Sequence, residues 1–326
     1  MKLRRLARAD QELERVIEYL YREGPDRSID EFRMWALDQA RQVLPFDAAL
    51  WGVGSFEDRR FHSTTTVGLP PEFPGIVERT RSINPAFQVL HDYPGVPVAV
   101  SELLGSGFRR SAIYRELYRP WKLEQILATA TYDARSGLFA LITFYRTDAG
   151  QAFSPAERRR VGRLVPHLAG AGSSSYFRRL ARLNRVRHAD SHVAVCDRFG
   201  VLHEAQPGFV DLLARHYPDW EGPALPFKVE DGNVNPDILP KPLTARIRPA
   251  GDLFVIEVWS RTLFDDLSSR EQQVAQGLLS GQSYKDVARR IGVSPSTVST
   301  YVKRIYAKVG GSGRTALRDL IRRRAR

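Results

Sequence analysis

A run of hydroxyl-capped segments in the last sixty residues constrains this chain more than any other feature. Ser268 stands three residues before Glu271, and Ser283 three before Asp286. At that spacing a hydroxyl and a carboxylate satisfy the free amides of a helix start reciprocally. Ser294 followed by Pro295 marks a third start, because proline at the first helical position loses no hydrogen bond. Val274, Leu278 and Leu279 give the first segment an apolar face before Gly281; Val287, Ala288 and Ile291 do the same for the second before Gly292. Gly292 permits the positive φ of a sharp turn, so the second and third segments read as a helix-turn-helix. Val298, Val302, Ile305 and Val309 fall on one side of the third at about 100° per residue. After Gly310, Gly311 and Gly313 a fourth helix is expected, with Ala316, Leu317, Leu320 and Ile321 inside.

Charge is concentrated in the same place. Residues 267–326 carry 13 Lys or Arg against 3 acids, while the whole chain has a net charge of +12. A chain that is nearly neutral except for a basic last fifth points to a polyanionic partner there. The face opposite the apolar stripe of the third helix holds Ser296, Thr300, Lys303 and Arg304, with Thr297 and Lys308 at its edges. Small polar residues allow close approach to a major groove, and the longer donors beyond them suit bases and phosphates. The terminal run Arg322-Arg-Arg-Ala-Arg326 reads equally as a solvated tail or as a sequence-blind phosphate contact.

The segments Leu267-Ser-Ser-Arg-Glu271, Gly281-Gln-Ser-Tyr-Lys285-Asp-Val-Ala288 and Ser296-Thr-Val-Ser-Thr-Tyr-Val-Lys-Arg-Ile-Tyr306 resemble the LuxR-type (GerE-like) DNA-binding domain. That resemblance implies a four-helix domain whose third helix reads double-stranded DNA, as a homodimer on a two-fold-related site. The expected DNA contacts are Lys285, Ser296, Thr297, Thr300, Lys303 and Arg304, and RNA polymerase is a further candidate partner. Two positions depart from the family pattern. Ser299 stands where Lys or Arg is common, and Tyr301 where His is usual, so no base preference carries over.

Upstream, about Gln11–Arg22 and Ile29–Val43 read as helices, and Asp47–Val53 and Arg60–Val67 as strands. Pro70, Pro71, Pro74 and Gly75 mark a loop before a helix near Ile76–Arg81. Ile126–Tyr132 and Leu138–Tyr145 suit a hairpin closed by Asp133–Gly137. Ser154 and Glu157 cap a long helix reaching about Leu183. Helices flanking an antiparallel sheet define an α+β domain. Tyr114–Arg146, followed by Phe153-Ser-Pro-Ala-Glu157, resembles the GAF-type sensory domains found upstream of LuxR-type effectors. The resemblance implies a small-molecule pocket on one face of the sheet. Trp51, Tyr114 and Trp121 are its candidate lining, with an ordinary aromatic core as the other reading. The acyl-homoserine-lactone pattern Trp-x-x-x-Tyr is missing at Trp51, because position 55 is Ser.

Val193–Asp197 and Val201–Ala205 read as strands about a turn, Pro207 opens a helix through Leu213, and Leu243–Arg248 and Leu253–Trp259 are two more strands. This stretch resembles a reduced PAS-like module. Tyr176, Leu180 and Leu183, on an Arg-rich helix Ser173–Arg187, suit either a dimer seam or packing within the chain. The expected fold class is therefore α+β and multidomain. Residues 1–172 form a GAF-like sensor, 173–190 a linker helix, 191–260 a PAS-like segment, and 261–326 an all-α tetrahelical helix-turn-helix domain.

Other chemistry is less well served. The single cysteine, Cys196, follows the apolar run Val193–Val195 and reads as a buried strand thiol. It leaves no disulfide framework and no multi-Cys metal site. No histidine pair has zinc-protease spacing, and no phosphate-binding Gly-x-x-x-x-Gly-Lys or Gly-x-Ser-x-Gly elbow occurs. No enzyme activity, metal or cofactor is expected. Without a membrane-length apolar run or a signal-peptide core, a cytoplasmic location is expected. The reading is a DNA-binding transcription regulator controlled by a small-molecule effector. The alternative is a constitutive regulator whose N-terminal domains serve only dimerisation or protein contacts.

Overall fold

The computed structural model describes residues 2–24, 27–55, 60–184, 191–229, 239–260, 264 and 267–309. The expected fourth helix with Ala316, Leu317, Leu320 and Ile321, the glycines at 310, 311 and 313, and the arginine tail lie outside the described residues. So do the side chains of Leu183 and Val309. The chain divides into two compact units, one of Met1–Arg187, Val193–Val234 and Ile247–Glu257, the other of His188–His192, Asn235–Arg246 and Val258–Arg326. The expected finer boundaries at 172, 190 and 260 stay a proposal.

The first unit opens with α1 (Lys2–Glu23) and α2 (Ile29–Ala40), then β1 (Ala48–Ser55) and β2 (Arg60–Val67). Next come α3 (Phe73–Arg79), α4 (Ala86–Asp92), β3 (Val98–Ala99) and α5 (Val100–Leu104). β4 (Gln125–Tyr132), β5 (Leu138–Arg146) and the long α6 (Pro155–Asn184) complete this part. The strands form an antiparallel sheet in the order β2-β1-β5-β4-β3. Every residue of β1 is buried, which is why it reads as an unbroken apolar run instead of an alternating one. Alternation still sorts its side chains. Ala49, Trp51 and Val53 join the core with α1, α2 and α6, and Ala48 and Leu50 join the opposite core with α3 and α4.

One local feature differs from expectation. The helix expected near Ile76–Arg81 starts earlier, at Phe73, because Pro74 occupies its first turn instead of breaking it, and a 3-10 turn at Arg81–Ile83 follows. Tyr114–Tyr118 forms one π-helical turn and Arg119–Trp121 a 3-10 turn. The cap at α6 is as expected: the Ser154 amide donates to Glu157 Oε2 at 2.7 Å, and the Glu157 amide to Ser154 Oγ at 3.3 Å. α6 then passes residue 172 without interruption.

β6 (His192–Cys196), β7 (Leu202–Ala205), α7 (Pro207–His216), β8 (Leu243–Ala250) and β9 (Leu253–Ser260) follow, with a sheet in the order β7-β6-β9-β8. Cys196 is fully buried, and burial pushes its thiol up to about 12, which makes it inert near neutrality. Phe177 and Leu180 of α6 pack on Val193, Val195 and Val255, with Tyr176 against the same cluster. Of the two readings for that helix face, packing within the chain is the one seen for these residues. Among the described residues no helix is long and apolar enough to cross a membrane.

Candidate nucleic-acid interface

α8 (Ser269–Leu279), α9 (Tyr284–Ile291) and α10 (Pro295–Val309) build the site. Each begins as its local sequence dictates. Ser268 and Glu271 form a capping box on α8, and Ser283 and Asp286 form one on α9. The Thr297 amide donates to Ser294 Oγ at 3.1 Å, capping α10. α9 ends at Gly292, whose φ of 70° and ψ of 39° are left-handed and turn the chain into α10. Val274, Ala275, Val287, Ala288, Val298, Val302 and Ile305 close a common core beneath the turn. Each fully buried Val or Ile is worth about 1.5–3 kcal/mol, enough to fix how α10 is rotated about its axis.

That rotation sets what α10 shows to solvent. Ser296, Thr300, Lys303 and Arg304 are exposed and Thr297 is half-buried. The Ser294 hydroxyl lies 2.7 Å from Ser296 Oγ and 2.8 Å from Thr297 Oγ1, a cluster of hydroxyls at the helix start. Thr300 Oγ1 donates to the Ser296 carbonyl at 3.2 Å, so its lone pairs are left to accept. Among the described residues nothing pairs with Lys303 or Arg304, one turn further on. Lys285 is exposed on α9, the first helix of the pair. The structure therefore brings the six expected contacts onto two successive helices, five of them on α10.

Three basic residues, Lys308, Arg290 and Arg270, are engaged within the domain. Lys308 Nζ donates to Glu271 Oε2 at 2.7 Å, tying the end of α10 to the start of α8. Burial pushes the Glu271 carboxyl up, but hydrogen bonds from Lys308 and Ser268 outweigh it and hold the group below its usual value. Arg289, one turn beyond Lys285 and 83% exposed, shares the open side of α9 and was missed by the sequence reading. The i, i+4 spacing of the two was the available signal. Arg290 and Arg270, although exposed, donate to the Gln273 and Ile291 carbonyls respectively.

The three residues expected to line a ligand pocket do not meet. Trp51 sits in the core beneath α1, α2 and α6. Tyr114 and Trp121 belong to the opposite face of the sheet. There the Tyr114 hydroxyl donates to Glu124 Oε1 at 2.7 Å, and Trp121 packs edge-on to Phe73. Strand alternation alone could separate Trp51 from a neighbour on β1, but not from Tyr114 and Trp121, which lie 63 and 70 positions further along the chain.

Fold and exposed face together define a helix-turn-helix domain of basic surface. Residues 265–321 match the family of bacterial regulatory proteins of the luxR type, and this part of the chain is a domain of that family. A probable transcriptional regulatory protein NarL of Mycobacterium tuberculosis is 46% identical over 50 residues, which are 15% of this chain and 23% of the relative. The match thus spans about a quarter of that relative's length. Among solved structures, Escherichia coli SdiA is similar with a TM-score of 0.39 and 12% identity, covering 94% of both chains. A GAF domain/HD domain protein from Geobacter sulfurreducens has a TM-score of 0.34 and 19% identity, over 49% of this chain and 98% of that one.

Proposed function

We propose that this chain is a transcription regulator that reads double-stranded DNA with α10 and answers to a small-molecule effector held upstream. The observation that carries the DNA-binding part is the exposed ridge of Ser296, Thr300, Lys303 and Arg304, held outward by buried Val298, Val302 and Ile305. Short hydroxyls at the helix start let the backbone approach the groove, where the positive end of the helix dipole also favours phosphate. Lys303 and Arg304 then reach base edges or backbone, and Lys285 with Arg289 anchors α9 across the phosphates. A homodimer would place two such helices on a two-fold-related site. An effector acts by binding one arrangement of the chain more tightly than another.

The test is fluorescence anisotropy on duplex fragments from the neighbourhood of its own gene over a salt series. The full-length chain and a Thr300→Ala/Lys303→Ala/Arg304→Ala variant are compared. Tight binding with a steep salt slope, lost or stripped of sequence preference in the variant, is the expected result. Binding unaffected by the triple change would mean that another surface reads the DNA.

A further inference from the structure

A cavity of about 250 Å³ opens beside the sheet of the first unit, walled by Arg33 of α2, Trp51 and Val53 of β1, Phe139 of β5, Gly172 of α6 and Glu204 of β7. On the opposite face of the same sheet a pocket lined by Tyr118 and Tyr145 measures about 20 Å³. We propose that the larger cavity binds a small, largely apolar monocarboxylate whose two oxygens take the unpaired edge of the buried Arg33 guanidinium.

Arg33 is only 2% exposed, and a buried guanidinium needs partners for its donors. Its Nη1 donates to Ser63 Oγ at 2.8 Å. Its Nη2 lies 3.8 Å from Glu204 Oε1, too far for a hydrogen bond, and its Nε has no partner. Nε and Nη2 form the side-on fork that a carboxylate fits with two parallel bonds. That side-on edge is therefore left without a hydrogen bond, with the Glu204 carboxylate standing off at 3.8 Å. A second buried donor of the same wall, Trp51 Nε1, is also without a partner, and the guanidinium stands 5.6 Å over the Trp51 ring.

The remaining chemistry narrows the ligand. Val53, Phe139 and the Trp51 ring offer apolar walls, which suit a hydrocarbon or aromatic body and not a sugar. The volume corresponds to about eight waters of liquid, so the body is small. Glu204 does not stand in for the ligand: burial pushes its carboxyl up to about 7 against the pull of Arg33. A bound carboxylate would thus meet a neighbour readily neutralised by a proton. Occupancy also replaces Glu204 as the nearest acid to Arg33, altering the tie between α2 and β7. In that sense the site gives chemical content to the effector of the proposed function and rests on that reading for its biological role.

The test measures the thermal midpoint of the full-length chain with benzoate, phenylacetate and hexanoate, each against its primary amide. At least one acid should raise the midpoint by about 3 °C or more at millimolar concentration, with its amide inert. Arg33→Lys keeps the charge but removes the fork and should abolish the rise. Ser173 of α6 also lines the cavity, and Ser173→Leu, which reduces its space and leaves the Arg33 side chain in place, should abolish the rise too, which keeps the test decisive if the first variant folds poorly. No response to any acid, an equal response to amides, or a response that survives Ser173→Leu overturns the site. DNA anisotropy on the same samples separates the two proposals. DNA binding without an acid response removes this site alone, and an acid response without DNA binding upholds the site while removing the proposed function.

Discussion

Lys308 Nζ and Glu271 Oε2 stand 2.7 Å apart, joining the last turn of the exposed helix to the first turn of the helix beneath it. Glu271 is also the third residue of the α8 capping box, so one carboxylate holds a helix start and a helix–helix contact together. Removing it should cost about 1–2 kcal/mol, the cap and the charge-assisted bond being lost at once while half-exposed Lys308 regains water. Hydrogen exchange at the α8 amides of Glu271→Ala, against the wild-type chain, checks this. A carboxyl held below its usual value stabilises the fold above the ordinary carboxylate range, and that contribution is lost as pH falls through the depressed value. α8 protection should accordingly weaken on acidification below that range, and Glu271→Gln should flatten the dependence.

Lys303 and Lys308 lie five residues apart on one helix yet should respond differently to salt. Lys303 is exposed and unpaired among the described residues, whereas Lys308 is engaged by Glu271. Lys303→Ala should reduce the salt slope of DNA binding by about 1, the effect of one lost phosphate contact. Lys308→Ala should leave the slope unchanged. Anisotropy titrations across the same salt range measure both.

Gly277 sets how closely α8 and α9 approach. A Cβ there would stand 2.6 Å from Arg290 Nη2, 2.7 Å from Val287 Cγ2 and 2.9 Å from Gln282 Oε1. The Arg290 tip can swing away, but Val287 is fully buried. Overpacking costs about 1–3 kcal/mol, and alanine returns about 1 kcal/mol of helix propensity. Gly277→Ala should therefore destabilise the domain by about 1 kcal/mol, read as faster exchange in α8 and α9 and weaker DNA binding.

Arg146 organises the first unit. Its guanidinium donates to the Pro45 carbonyl at 2.8 and 3.0 Å, to the Gln151 carbonyl at 3.1 Å and to Glu157 Oε1 at 2.6 Å. Those bonds fasten the end of β5, the loop before β1 and the start of α6. Arg146→Met would strip Glu157 Oε1 and the Pro45 and Gln151 carbonyls of their guanidinium donors, at a cost of about 3 kcal/mol or more. A urea titration followed by tryptophan fluorescence should show a lower midpoint for the variant. An unchanged midpoint would remove this role.

Much of the C-terminal site was legible because its determinants are local. Ser268 with Glu271, Ser283 with Asp286, and Ser294 with Pro295 act within one turn, and the stripe from Val298 to Ile305 needs only helical periodicity. What the sequence hid was tertiary. The partner of Lys308 lies 37 positions earlier, so its charge looked available. Trp51 could be placed on a strand, but which helices cover its side of the sheet depends on the chain path. Tyr114 and Trp121 were grouped with it by residue type and belong to the other side. The unpaired edge of Arg33 was equally out of reach, because it depends on Ser63 and Glu204 from two further strands.

The central claim, that α10 reads base sequence, is tested most directly by selection from a random duplex pool with the wild-type chain and with Thr300→Ala/Lys303→Ala/Arg304→Ala. The wild type should enrich one motif with two related halves, and the variant, still basic elsewhere, should bind at low salt and enrich none. Enrichment of the same motif by both, or of no motif by the wild type, would contradict the account.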